Sequence, residues 1–112
     1  MGGLPILPGT VAFLALSSIA KAGPIHGFQV LRWIKEISEG ELLVEEGALY
    51  PALHRMEKEG WLASRWAVSE KGRRAKYYEI TARGKKALAK ETSGWGRYVT
   101  AVDRVVAGGS LP

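Results

Sequence analysis

Two short stretches carry the residues able to do chemistry on a partner. Residues 44–60 read Val-Glu-Glu-Gly-Ala-Leu-Tyr-Pro-Ala-Leu-His-Arg-Met-Glu-Lys-Glu-Gly. Leu49, Leu53 and Met56, with Ala52 beside them, recur at spacings of three and four, which is the apolar stripe of a helix. With that stripe inward, Ala48, Tyr50, Pro51, His54, Arg55 and Lys58 lie nearer the outer faces. The second stretch, Lys71-Gly72-Arg73-Arg74-Ala75-Lys76-Tyr77-Tyr78, puts the cations Lys71, Arg73, Arg74 and Lys76 around a turn. A helix laid in a major groove reads base edges with side chains near its N-terminus. Basic residues at a hairpin tip enter a minor groove or bind its rims. The implied chemistry is non-covalent recognition of duplex DNA. Ala48 and Pro51 are compact enough for a close backbone approach, and helix N-terminal amides with Tyr50 suit phosphate.

Each stretch has a plainer reading when taken alone. The first is an ordinary solvated amphipathic helix, and Glu45 and Glu46 favour that, since carboxylates repel phosphates even while they suit the helix dipole. The second is a charged edge hairpin whose lysines discourage strand pairing. A helix and a basic finger side by side favour DNA over either alternative.

Other chemistries find little support. There is no cysteine, so disulfides and thiolate metal sites are excluded, which suits a reducing cytoplasm. His26 and His54 are far apart and lack spaced partners, so no metal is expected. No nucleophile–base–orienter set and no glycine-rich phosphate loop after a strand is visible, so neither an enzyme nor a bound cofactor is expected. The 112 residues suffice for one small core, and 46% hydrophobic with 24% charged residues is a globular composition. Sixteen Lys+Arg against eleven Asp+Glu give +5, a moderate excess that matters because it is clustered. Leu4 to Ala20 is mostly apolar, and Ala20-Lys21-Ala22 resembles a cleavage site, but Met1-Gly2-Gly3 offers no basic n-region. Pro5, Pro8, Ser17 and Ser18 break the run, so a buried first helix is expected and not a membrane span.

The elements that must position these residues follow from the pattern. After Pro8-Gly9, Thr10 is expected to cap a helix over 11–21 in which Val11, Phe13, Leu14, Ala15, Leu16 and Ile19 leave little polar surface. Gly23-Pro24 breaks the chain. A second helix runs from His26 or Gly27 to Ser38, with Phe28, Leu31, Ile34 and, less regularly, Val30 and Ile37 inward, ending at Gly40. The third helix spans Glu46 to Glu59, and Pro51 is expected within its first turn, where a missing N–H does no harm. A strand over 61–68, a turn at Ser69-Glu70-Lys71-Gly72 and a return strand over 76–80 form a hairpin in which Tyr77 and Tyr78 alternate between core and surface. Thr81 then caps a long helix from Ala82 to Val106, followed by a frayed tail. The expected fold is mainly α with a small β-hairpin: a winged helix-turn-helix over 1–80, then a C-terminal dimerisation helix and tail over 81–112.

Leu88, Thr92, Trp95, Val99, Val102 and Val106 form a heptad-like seam on that last helix. So small a domain cannot bury the seam alone, so a homodimer is expected, with the first helix, Phe13 included, joining the interface. Two-fold symmetry would present two reading helices to a near-palindromic operator. Gly94 and Gly96 flank Trp95, which implies a kink, a close approach of another surface, or a tolerated weakness. Trp95 is either a packing anchor or the border of a slot for a small planar hydrophobic effector.

Gly9-Thr10-Val11, Gly23-Pro24-Ile25-His26-Gly27-Phe28, Glu46-Gly47-Ala48-Leu49-Tyr50-Pro51-Ala52-Leu53, Gly60-Trp61-Leu62, Gly72-Arg73-Arg74-Ala75-Lys76-Tyr77-Tyr78 and Thr81-Ala82-Arg83-Gly84 together resemble the PadR-like transcriptional regulators over residues 9–106. The single terminal helix resembles the short subfamily. The resemblance implies a homodimeric repressor, with small aromatic or hydrophobic compounds held near the dimer interface. Phe28 stands where that family more usually carries Tyr, and it lacks the hydroxyl that could contact a phosphate. The alternative from another class is a winged-helix module for protein contacts, its basic wing docking on an acidic protein surface.

Overall fold

A helix apolar on most sides must be covered on most sides, and the first helix is. The computed structural model describes residues 3–112; Met1 and Gly2, on which the n-region reading partly rests, lie outside the described residues. The order is α1 (Thr10–Ala22), β1 (Ile25–His26), α2 (Gly27–Ile37), α3 (Glu46–Lys58), β2 (Leu62–Val68), β3 (Arg74–Ile80) and α4 (Ala82–Ala107). Ala15, Leu16 and Ile19 of α1 meet Val30 and Ile34 of α2, Leu49, Leu53 and Met56 of α3, and Ile25, Leu62 and Tyr78 of the sheet. Each large aliphatic side chain buried there stabilises the fold by about 1.5–3 kcal/mol. Among the described residues, the one buried polar side chain, that of Ser18, donates its hydroxyl to the Leu14 carbonyl at 2.7 Å.

Several local expectations are corrected. Thr10 is not a cap. It is the first helical residue, Gly9 holds the cap position, and the Thr10 hydroxyl donates to the Leu7 carbonyl at 2.7 Å. Pro51 lies beyond the first turn, as the sixth residue of a helix that begins at Glu46. Its missing N–H deprives the Gly47 carbonyl of a partner, but both residues are exposed, so water can replace the bond. In α2 the buried stripe is Gly27, Val30 and Ile34, while Phe28 and Ile37 stay 59% and 65% exposed. His26 caps α2: its Nδ1 accepts from the Gln29 N–H at 3.4 Å, and the Gln29 side chain accepts from the His26 N–H at 3.0 Å. This reciprocal box fixes where the helix starts. Gly27 then faces the core, and Phe28, one residue on, is turned out.

The hairpin is part of a three-stranded antiparallel sheet in the order β1-β3-β2. Strand β1 was not expected, because two residues are too few for an alternation signal; it pairs Ile25 with Tyr78 and His26 with Tyr77. Strands β2 and β3 pair from Leu62↔Ile80 at the base to Val68↔Arg74 at the tip. β3 therefore starts two residues earlier than the sequence suggests, and Arg74 and Lys76 are both strand residues.

Thr81 caps α4 as expected, accepting from the Gly84 N–H at 3.0 Å. Its hydroxyl also donates to the Gly60 carbonyl at 2.7 Å, tying the start of α4 to the end of α3. A β-carbon at Gly84 would collide with the Trp61 carbonyl, so the Thr-x-x-Gly opening is a packing requirement. At 26 residues α4 is about 39 Å long. Every residue of it from Glu91 onward is exposed. The radius of gyration, 16.1 Å, exceeds the roughly 13 Å of a compact chain of this length, because α4 projects. Among the described residues, no helix is long and apolar enough to cross a membrane.

Candidate nucleic-acid interface

A cleft of about 610 Å³ separates the first turn of α2 from the concave side of the β2–β3 hairpin, with Tyr50 of α3 at its floor. Gly27 makes room for that floor. A β-carbon there would lie 2.6 Å from the Tyr50 ring, so only glycine lets the ring seat against α2. Burial, and secondarily the charge of Glu46, pushes the Tyr50 phenol above its ordinary pKa, so it stays a neutral hydrogen-bond donor at neutral pH. The other residues expected on the outer side of α3, namely Ala48, Pro51, His54, Arg55 and Lys58, are all exposed, but they lie outside the walls of the cleft.

Alternation decides what the hairpin presents. Leu62, Ser64, Trp66 and Val68 share one face of β2 and stand opposite Ile80, Tyr78, Lys76 and Arg74 of β3. At the base this face is core, with Leu62 and Tyr78 buried. Towards the tip it overhangs the cleft, with Trp66 58% exposed. The Arg74 guanidinium lies 4.8 Å from the centre of the Trp66 ring, a cation–π contact. Lys71 and Arg73 join Arg74 on the rim, all three exposed. Trp66 and Phe28 were missed as cleft residues. The alternation of β2 could have placed Trp66, whereas Phe28 depended on the rotation of α2.

Lys76 differs from the other wing cations. Its Nζ lies 2.8 Å from Glu57 Oε1, and its side chain is only 30% exposed. The other Glu57 oxygen accepts from the Ser64 hydroxyl. The hydrogen bonds from Lys76 and then Ser64 hold Glu57 below the usual carboxylate range, and the bond to Glu57 raises the Lys76 ammonium. All four expected wing cations line the cleft, and among them Lys76 is the one paired with a carboxylate. Position 76 faces α3 because it shares one face of β3 with the buried Tyr78.

A second surface lies on α4. The Trp95 ring is tilted against Phe13 of α1 at 6.2 Å between centroids, and it stacks on Tyr98 at 6.1 Å. Trp95, Val99 and Val102 are only 37–39% exposed, whereas Val106 is 80% exposed, and Leu88 packs partly into the core. The helix is unbroken through Gly94 and Gly96, and a β-carbon at either would meet nothing within 4 Å. Neither glycine is therefore needed for a close approach within the chain. Among the described residues, no cluster of three His, Asp or Glu is placed to hold a metal.

The model of the transcriptional regulator PadR-like family matches residues 16–90, which run from the middle of α1 into α4. A transcriptional regulator of Mycobacterium tuberculosis is 37% identical over 68 residues, which is 60% of this chain and 59% of that protein. The crystal structure of a Streptococcus mutans protein superposes with a TM-score of 0.76 at 31% identity, covering 91% of each chain. A PadR-like transcriptional regulator from Bacillus cereus gives 0.75 at 28% identity, covering 90% of this chain and 95% of its own.

Proposed function

The chain belongs to the PadR-like family of transcriptional regulators, a family of regulators and not of enzymes, and from that premise we propose that it binds duplex DNA sequence-specifically as a homodimeric repressor. One observation carries the reading: three exposed wing cations border the same cleft as the N-terminal turn of α2 and the Tyr50 edge of α3. In that arrangement one sugar–phosphate strand lies in the cleft. Lys71, Arg73 and Arg74 neutralise it, and the N-terminal amides of α2 and the Tyr50 phenol donate to phosphate oxygens. Trp66 and Phe28 cover the sugars. The outer residues Ala48, Pro51, His54, Arg55 and Lys58 then face base edges or flanking phosphates of the major groove. Lys76 also lines the cleft, but Glu57 shares its ammonium, so it contributes less to the phosphate contacts than the three rim cations.

The partly exposed seam of Trp95, Val99 and Val102 supports a second copy of the chain as its cover. A two-fold axis along α4 would set two copies of α3 about one helical turn, roughly 34–36 Å, apart on a near-palindromic operator. Occupying that operator is the simplest output for a reading head joined to an assembly helix. The effector reading rests on Trp95, whose exposed remainder, next to its symmetry mate, offers a flat apolar surface. The contact with Phe13 equally supports an anchoring role.

Enrichment of duplexes from a random pool by the purified chain tests the proposal. A reproducible inverted-repeat sequence, bound in a salt-dependent way and well above a scrambled duplex, is expected. Binding without any sequence preference would favour the protein-contact alternative.

A further inference from the structure

We infer that Glu57 is a positioning residue whose carboxylate, held between Ser64 on β2 and Lys76 on β3, locks the wing at one angle to α3 so that both engage DNA in a single register. The inference rests on the DNA-binding reading above. It comes from how little else holds the hairpin. At the base, Leu62 and Tyr78 anchor it in the core. Beyond Ser64 the two strands pair mainly with each other, and Trp66 and Val68 on the inner face are 58% and 71% exposed. A two-stranded ribbon without a packed face is marginally stable and free to twist. Among the described residues, the bonds of Glu57 to Lys76 and Ser64 are the only side-chain hydrogen bonds between α3 and the hairpin. One carboxylate in the last turn of the proposed reading helix thus grips both strands where the core ends.

Charge alone makes the opposite forecast, which is what makes the idea testable. A carboxylate near a DNA-binding surface repels phosphate, and Glu57 also occupies Lys76. Removing Glu57 deletes a negative charge and frees a cation, so on electrostatic grounds all DNA should bind more tightly. If Glu57 positions the wing, indiscriminate binding rises or holds while selective binding falls, because the freed wing no longer meets the phosphates in register with α3.

The experiment compares the full chain with Glu57→Ala, Glu57→Gln and the exchanged pair Glu57→Lys with Lys76→Glu. The probes are the duplex enriched by the wild type and a scrambled duplex of equal length, over a salt series. For Glu57→Ala, binding to the scrambled duplex should hold or strengthen, with a log–log salt slope steeper by up to about 0.9 as Lys76 is freed. Affinity for the enriched duplex should fall by about tenfold or more, as expected for losing hydrogen bonds to a charged group. The exchanged pair should recover much of the selectivity, and Glu57→Gln should fall between. Equal strengthening on both duplexes, or an unchanged ratio, overturns the inference. Amide hydrogen exchange without DNA separates this from the parent proposal. Glu57→Ala should speed exchange across residues 63–77 by about tenfold or more while α1 is unchanged, and if Glu57→Ala does not fold, Glu57→Gln serves in its place. Unchanged exchange in the hairpin overturns the clamp even if DNA binding is confirmed. A wild type that prefers no duplex overturns the DNA-binding reading, whatever the exchange data show.

Discussion

At the scale of single residues, the cleft sorts cations that are alike in sequence into two roles. Arg73 and Arg74 are exposed on its rim, whereas Lys76 is paired with Glu57. Replacing Arg73 and Arg74 with Ala should therefore weaken binding to every duplex, and the salt slope should flatten by about 0.9 for each phosphate that is no longer neutralised. An unchanged slope, measured by fluorescence anisotropy over a salt series, would remove the wing from the interface. Tyr50 and Arg55 make a different forecast. Tyr50→Ala and Arg55→Ala should each lower affinity for the enriched duplex without altering assembly. A base-edge contact would be worth about 1–3 kcal/mol of discrimination at one position. Tyr50→Phe separates the phenol from the ring, since the ring still seats against Gly27. If both alanine variants bind like the wild type, the outer face of α3 is not the reading surface.

At the scale of elements, short motifs act as joints. Thr81 and Gly84 weld α4 to the end of α3, and His26 with Gln29 fixes the start of α2. Gly84→Ala should destabilise the fold by about 1–3 kcal/mol, since the added carbon meets the Trp61 backbone and the Ile80 side chain. Urea denaturation measures this, and an unchanged midpoint would mean that the joint has slack. The Glu57–Lys76 pair gives a joint that depends on pH. Glu57 is depressed, so its contribution is present above the ordinary carboxylate value of about 4.3 and is lost as pH falls through its lower folded value. Lys76 is raised, so its contribution is present below about 10.4 and is lost as pH rises through its higher folded value. The stability difference between the wild type and Glu57→Ala should be flat from about pH 6 to 9 and shrink in acid as the carboxylate is protonated. A difference that persists in full at low pH would mean that the pair's charge contributes nothing.

At the scale of the whole molecule, the dominant feature is a projecting helix with a partly covered aromatic and valine seam. If a second copy covers the seam as proposed, Val99→Asp with Val102→Asp should yield monomers, because carboxylates left unpaired under that cover are costly. Affinity for an inverted repeat should collapse with the dimer, and light scattering that still reports a dimer would place the interface elsewhere. Trp95→Ala distinguishes the two readings of that side chain. As an anchor against Phe13, its loss should destabilise the assembly by about 3–5 kcal/mol, and the wild type should show no saturable binding of planar aromatics. As an effector border, Trp95 should show fluorescence quenching by such compounds that Trp95→Ala largely abolishes. The comparison must be made against the variant, since Trp33, Trp61 and Trp66 also emit.

Much of this is legible in the amino-acid sequence alone. The spacing of Leu49, Leu53 and Met56 determined which face of α3 is core, and all three are buried with Ala52. Thr81 announced the start of α4, and the basic turn announced the wing. These signals are local: periodicity, caps and turn chemistry act within a few residues and need no partner to be read. Tertiary structure decided what depends on a contact between distant segments. Phe28 faces the cleft because Gly27 must admit Tyr50, more than twenty residues away. Lys76 is bound instead of free because Glu57, nineteen residues back, reaches it across the sheet. Strand β1 exists only because β3 is there to pair with it. A sequence pattern records how often apolar residues recur, whereas rotation about a helix axis and the pairing of one charge with another are settled by what packs alongside.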